Sequence, residues 1–174
     1  MLFVTGNPGK FKEAAELIPG LEQADINPPE IQSYSAEEVA MFSVEHAFRE
    51  LGEPCFVEDA GTFIDALGGF PGVYSKQVWE KIGLAGVLKL MDGVENRAAK
   101  FQAVIAYHDG KEVHVFKGEC SGTITTEIRG GKGFGYDPIF VPGGHDKTFA
   151  EDFAYKQKVS HRTMALKAFL EFLE

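Results

Sequence analysis

Residues 101–118 read FQAVIAYHDGKEVHVFKG. Two runs of apolar and aromatic side chains flank Asp109-Gly110, the dipeptide whose backbone freedom suits a tight hairpin turn. The strand pattern extends outward to about residues 97–128, so the middle of the chain is paired strands. Nearer the amino terminus the pattern alternates. Leu2-Phe3-Val4 is a short apolar run that breaks at TGNPGK and passes into KEAAELI, whose apolar residues return at helical spacing. A second short run over residues 21–26 leads through Pro28-Pro29. Ser35 with Glu38 three positions on then marks the start of a helix reaching about Leu51. Residues 55–57 form a buried strand that delivers Glu58 and Asp59 to its end. A glycine-rich turn at residues 68–72 precedes helical segments over about 74–91, interrupted near Gly83. Val159, Thr163, Leu166, Phe169, Leu170 and Leu173 mark one face of a terminal helix. Alternating elements followed by hairpins predict an α/β fold on a mixed sheet, in one domain spanning residues 1–174 with no linker.

Composition narrows the function. Seventeen Lys+Arg against 26 Asp+Glu leave a net charge of −9 over 174 residues, which excludes a general binder of long nucleic acid. A 44% hydrophobic content with 12% aromatics excludes a disordered chain. No run of about twenty apolar residues occurs, and the first ten residues lack the features of a leader, so no membrane partner is expected. Two cysteines, Cys55 and Cys120, are too few to staple such a chain and point to a reduced, cytoplasmic setting. The 20 glycines exceed the usual share of ~7% and suggest tight turns or close approach to a ligand.

Three constellations carry chemistry. Thr5-Gly6-Asn7-Pro8-Gly9-Lys10 lies between a strand and a helix, where backbone N–H groups and a lysine suit a phosphate. It is too short for a Walker A loop, and Phe11 stands where a magnesium-binding hydroxyl belongs. Glu30, Glu58 and Asp59 form an acidic set, with Glu37 and Asp65 as lesser candidates. A hard cation needs only one or two carboxylates beside substrate phosphates. Strand alternation turns Glu58 and Asp59 to opposite sides. Third, GFGYD (133–137) and KQKVSHR (156–162) fall where six basic residues face four acidic ones between 129 and 162, so positive charge is concentrated there. The histidines show no zinc spacing, and no serine lies in a nucleophile elbow.

In this order, TGNPGK, PPEIQ, VEDAG, FPGVYSK, GFGYDPIF and KQKVSHRTMAL resemble the inosine triphosphate pyrophosphatase family. The resemblance implies an elongated, two-lobed α/β fold around a long twisted mixed sheet, a central active-site cleft and a homodimer. It implies magnesium-dependent hydrolysis of ITP, dITP and XTP to the monophosphate and pyrophosphate. By position, Thr5, Gly6, Asn7, Pro8, Gly9 and Lys10 would bind the triphosphate of a purine nucleoside triphosphate, and Lys76 another phosphate. Glu30 and Asp59 would hold Mg2+, with Asp59 also taking the proton of the attacking water and Glu58 a second candidate for that step. Phe134 would stack on the base, Gly135, Tyr136 and Asp137 would shape its pocket, and Lys156, His161 and Arg162 would reach the base or a nearby phosphate. The chain departs from the family at Ala60, where a hydroxyl is common beside the ligand, at Gln157, where Asn is usual, and at Ser43, where many members carry lysine. Two other readings compete: a Maf-like nucleotide pyrophosphatase with a different base preference, and a nucleotide sensor without hydrolysis.

Overall fold

The computed structural model describes residues 1–26, 28–29 and 31–174. Strand β1 (Leu2–Val4) enters helix α1 (Pro8–Ala15) through a turn that Asn7 closes, its Oδ1 accepting from the N–H groups of Gly9 at 2.9 Å and Lys10 at 3.1 Å. Pro8 opens the helix where an N–H would be unsatisfied anyway. Strand β2 (Glu22–Ala24) is shorter than the apolar run that announces it. Helix α2 (Ala36–Leu51) has Ser35 as its cap, with Glu38 N–H donating to Ser35 Oγ at 3.3 Å. The reciprocal half of that box runs through a third residue: Ser33 donates its hydroxyl to Glu38 at 2.6 Å and accepts from Ser35 N–H at 3.0 Å.

Strand β3 (Cys55–Ile64) runs well past the expected end, so Glu58 and Asp59 lie in mid-strand. Its first residues pair in parallel with β1, and Thr62 and Phe63 pair antiparallel with β4 (Pro71–Gly72). Gly61 makes the second pairing possible, because a Cβ there would collide with the Gly72 carbonyl. Helix α3 (Ser75–Leu90) kinks at Gly83, whose φ of 63° and ψ of −175° interrupt the helix where the glycine predicts a break. Strands β5 (Ala98–His108) and β6 (Val113–Ile124) are the hairpin read from the sequence, with Asp109 Oδ1 accepting from Lys111 and Glu112 N–H in the turn. Strand β7 (Phe140–Pro142) pairs antiparallel with β6. The terminal helix divides: α4 (Phe153–Val159) and α5 (His161–Leu173) are separated by Ser160 at ψ 155°, so Val159 belongs to the earlier helix.

The sheet is mixed, in the order β2-β1-β3-β5-β6-β7 with β4 beside β3. The chain forms two compact units, Met1–Ala60, Ala103–Gly118 and Arg162–Glu174 in the first, Gly61–Gln102 and Glu119–His161 in the second. Each has a core. In the first, Phe3 stacks on Phe56 at 4.4 Å between ring centroids and Phe169 packs on Phe56 at 5.0 Å, with Ile18, Ile105 and Leu166 around them. In the second, Phe101 stacks on Phe140 at 4.0 Å, and Phe149, Ile64, Met91 and Ile139 complete the cluster. Burying such aromatic groups contributes roughly 25 cal/mol per Å² of apolar surface. Among the described residues no helix is long and apolar enough to cross a membrane.

Candidate functional site

In the first unit the turn before α1 is internally bonded. Asn7 N–H donates to Thr5 Oγ1 at 3.1 Å, Thr5 N–H donates to Ala24 O at 3.1 Å, and Gln23 on β2 donates its side-chain amide to Thr5 O at 2.7 Å. Gly6 and Pro8 are exposed, Thr5, Asn7 and Gly9 half-buried. Lys10 folds back from the first turn of α1, its Nζ donating to Glu58 O at 2.8 Å and lying 3.8 Å from Glu58 Oε1. The lysine of the turn and the acidic strand are therefore one structure.

Glu58 itself is closed off. Its side chain is 1% exposed, and both its oxygens accept from Arg162, Oε2 from Nε at 2.7 Å and Oε1 from Nη2 at 2.8 Å. Arg162 Nη1 donates to a second buried carboxylate, Glu13 on α1. Burial works against the charged guanidinium, but Glu58 and Glu13 outweigh it and hold the group charged well above its ordinary range. Arg162, expected to reach the base or a nearby phosphate, stands 2% exposed in this triad. Glu13 is the member of this cluster that the sequence did not single out. The signal was present, since Glu13 lies three positions after Lys10 and so on the same face of a helix. Asp59 follows Glu58 on β3, turns to the opposite side of the strand and is half-buried. Ala60 packs at the margin of the first core. Ser43 is buried on α2.

The second unit carries the aromatic loop. Asp137 is 2% exposed and its Oδ2 accepts from Phe134 N–H at 2.9 Å and from Lys156 Nζ at 2.7 Å. Lys156 is 1% exposed, with Nζ 4.6 Å from the centre of the half-buried Phe134 ring and 5.5 Å from that of Phe153. Gly133 must be glycine: its φ is 77°, and a Cβ would strike the Asp137 carboxylate. Gly135 has φ 61°. Tyr136 is 5% exposed, with its ring in the second core and its hydroxyl donating to Ser75 O at 2.9 Å. Burial pushes its phenol far above the ordinary range. His161 is buried and meets Phe101 edge-on at 5.0 Å, and Gln157 is half-buried. Lys76, in the first turn of α3, is exposed.

Of the two residues expected to hold a metal, Glu30 lies outside the described residues. Asp59 offers a hard oxygen donor of the type magnesium takes, on a strand whose other acid is held by arginine. Among the described residues, one set of three His, Asp or Glu side chains brings its ligand atoms within 4.8 Å of one another. It is Asp109, Glu112 and His114 in the β5–β6 turn, not at Asp59. There Asp109 is held below the ordinary carboxylate range by the Glu112 and Lys111 N–H groups and by His114.

Fold and clusters together define a mixed α/β protein with a capped strand–turn–helix beside a buried acid–arginine triad in one unit and a lysine-backed aromatic loop in the other. Residues 1–172 match the Ham1 family, and the chain belongs to it. It is 48% identical to a dITP/XTP pyrophosphatase of Methanopyrus kandleri over 99% of this chain and 95% of that one, and 47% identical to a dITP/XTP pyrophosphatase of Thermococcus kodakarensis over 100% and 97%. Among solved structures, the Ham1 protein of Staphylococcus aureus superposes with a TM-score of 0.84 at 31% identity, covering 100% of both chains. A HAM1 protein from Coxiella burnetii superposes with a TM-score of 0.87 at 30% identity, over 99% of this chain and 96% of that one.

Proposed function

We propose that this chain is a nucleoside triphosphate pyrophosphatase that hydrolyses dITP, ITP and XTP to the monophosphate and pyrophosphate, acting with magnesium as a cytoplasmic homodimer. The observation that carries the reading is end-to-end similarity to dITP/XTP pyrophosphatases at nearly half of all positions. The side chains support it from both units. Lys10, held against the Glu58 carbonyl, brings a cation to the turn that would receive the triphosphate. Lys76 supplies a second cation. Phe134, fixed through its N–H by Asp137, offers a ring for the purine.

Asp59 and Glu30 would hold magnesium, which spreads the charge that develops on the phosphate oxygens. Asp59 orients the attacking water and takes its proton. Glu58 does not compete for that step, because Arg162 engages both its oxygens. Its task is to fix the strand position on which Asp59 depends. A 6-oxo purine presents an acceptor at position 6 and a donor at N1, and adenine reverses both. A donor such as Lys156 or His161 facing position 6 would therefore gain a bond from a 6-oxo purine that adenine cannot offer, a difference worth ~10⁴-fold where a site is built for the bond.

The test is pyrophosphate release from dITP, ITP, XTP, GTP, ATP and from pyrimidine and methylated triphosphates, with and without magnesium. Release from dITP, ITP and XTP alone, and only with magnesium, is expected. Preference for pyrimidine or methylated triphosphates would favour the Maf-like alternative, and binding without release would favour a sensor.

A further inference from the structure

The first turn of α3 is held from three directions. Ser75 is buried, its Oγ donating to Gly72 O at 2.6 Å and accepting from Thr62 N–H at 2.8 Å. Those bonds tie the helix start to β4 and to the far half of β3. The third tie comes from 61 residues further along the chain, where the Tyr136 hydroxyl donates to Ser75 O at 2.9 Å in a buried position. Tyr136 stands between Gly135 and Asp137, inside the loop that carries Phe134, and its neighbour Asp137 holds both Phe134 N–H and Lys156. Lys76 is the next residue after Ser75.

The link is stiff at the end that matters. A tyrosine ring has two rotatable bonds, and here the ring is packed among the second unit's core side chains, so the hydroxyl stands where the core puts it. A lysine is the opposite case, a point charge on a flexible four-carbon stem. Its stem can be aimed only by fixing the backbone from which it starts. Ser75 O belongs to that backbone, and the phenol grips it.

We infer that Tyr136 is a positioning residue, whose hydroxyl registers the first turn of α3, and with it Lys76, against the loop that carries Phe134. The inference rests on the proposed assignment of Lys76 to a phosphate and Phe134 to the base. It gives Tyr136 a task other than lining the base pocket. Its ring fills the core and its polar end faces the helix start, so the distance between base platform and phosphate cation is set by a side chain that need touch neither group.

The experiment is a double-mutant cycle on the full chain with Tyr136→Phe, Lys76→Ala and the pair. Inosine monophosphate reads the base loop by calorimetry, and inorganic pyrophosphate reads the phosphate cation by inhibition of dITP hydrolysis. In Tyr136→Phe we expect monophosphate binding within twofold of wild type and pyrophosphate inhibition weakened five- to thirtyfold. In the Lys76→Ala background the same change should weaken inhibition by less than twofold. Equal losses in both backgrounds would overturn the inference, as would parallel loss of monophosphate binding. If Lys76→Ala alone leaves inhibition and turnover at wild-type values, the assignment of Lys76 to a phosphate fails and takes the inference with it. Impairment by Lys76→Ala with an additive cycle removes the inference alone. A measurement without substitution guards against misfolding of Tyr136→Phe: adding inosine monophosphate to the wild-type chain should slow hydrogen exchange at residues 75–78. Unchanged exchange there, with the monophosphate bound, contradicts the link.

Discussion

Arg162 shows how far a side chain's surroundings decide its role. Two carboxylates, Glu13 and Glu58, share one guanidinium at 2% exposure. Removing the cation alone leaves two acids facing each other out of water. Arg162→Leu should therefore cost roughly 3–5 kcal/mol of unfolding free energy, read by urea denaturation. Replacing Glu13, Glu58 and Arg162 together by apolar residues of similar volume should recover most of that loss while leaving turnover impaired, because Glu58 also anchors Lys10. Phe134→Ala should raise KM for dITP by a factor corresponding to about 1–3 kcal/mol of lost stacking; an unchanged KM would assign the ring to packing. Asp59→Asn should abolish pyrophosphate release and leave nucleotide binding measurable, and near-normal turnover would remove Asp59 from its assigned role. The sequence made Lys10 and the Phe134 loop legible because each sits at a break in a periodic pattern, and it put the two acids on the right strand but at its end rather than its middle. Glu13 was hidden, since a glutamate in a helix of an acidic chain looks like any solvated charge, and only the fold brings Arg162 to it from 149 positions away.

At the scale of elements, local signals marked where segments start better than where they stop. The Asn7 turn, the Ser35 cap, the Asp109-Gly110 hairpin and the Gly83 break are all written in residues that act within four positions of themselves. Strand β3 outran its expected end because its second half is stabilised by pairing with β4, a contact no local pattern encodes. In the sheet Gly61 is the residue that lets another backbone come close. Gly61→Ala should destabilise the protein by about 1–3 kcal/mol, seen as a lower urea midpoint at unchanged slope. Because Thr62 N–H bonds to Ser75, hydrogen exchange at the start of α3 should quicken in the same variant. Stability equal to wild type would show that β4 shifts freely to admit the methyl group.

Across the whole molecule, each unit carries one buried thiol, Cys55 in the first and Cys120 in the second. Burial pushes both up to about 11 from an ordinary 9.0, with Glu53 adding to the effect at Cys55. A group whose pKa is raised by folding stabilises the fold below its unfolded value and ceases to do so above its folded one. The stability due to these thiols should thus be complete below pH 9 and decline between pH 9 and about 11. Cys55→Ala and Cys120→Ala should each flatten part of the decline, and a thiol reagent at pH 8 should label neither cysteine until denaturant is added. The excess of acid over base is also clearer at this scale. Some acidic charge is internal, in Glu13 and Glu58 against Arg162 and in Asp137 against Lys156, so net charge alone poorly describes the surface a phosphate meets. The Asn7 turn carries a related consequence. The two N–H groups at the head of α1 are already spent on the Asn7 amide oxygen. An anion using those donors must evict an acceptor the protein supplies to itself, so its gain is the difference between two bonds. Affinity at that turn is an exchange reaction, tuned as much by how readily Asn7 lets go as by how strongly the guest holds on.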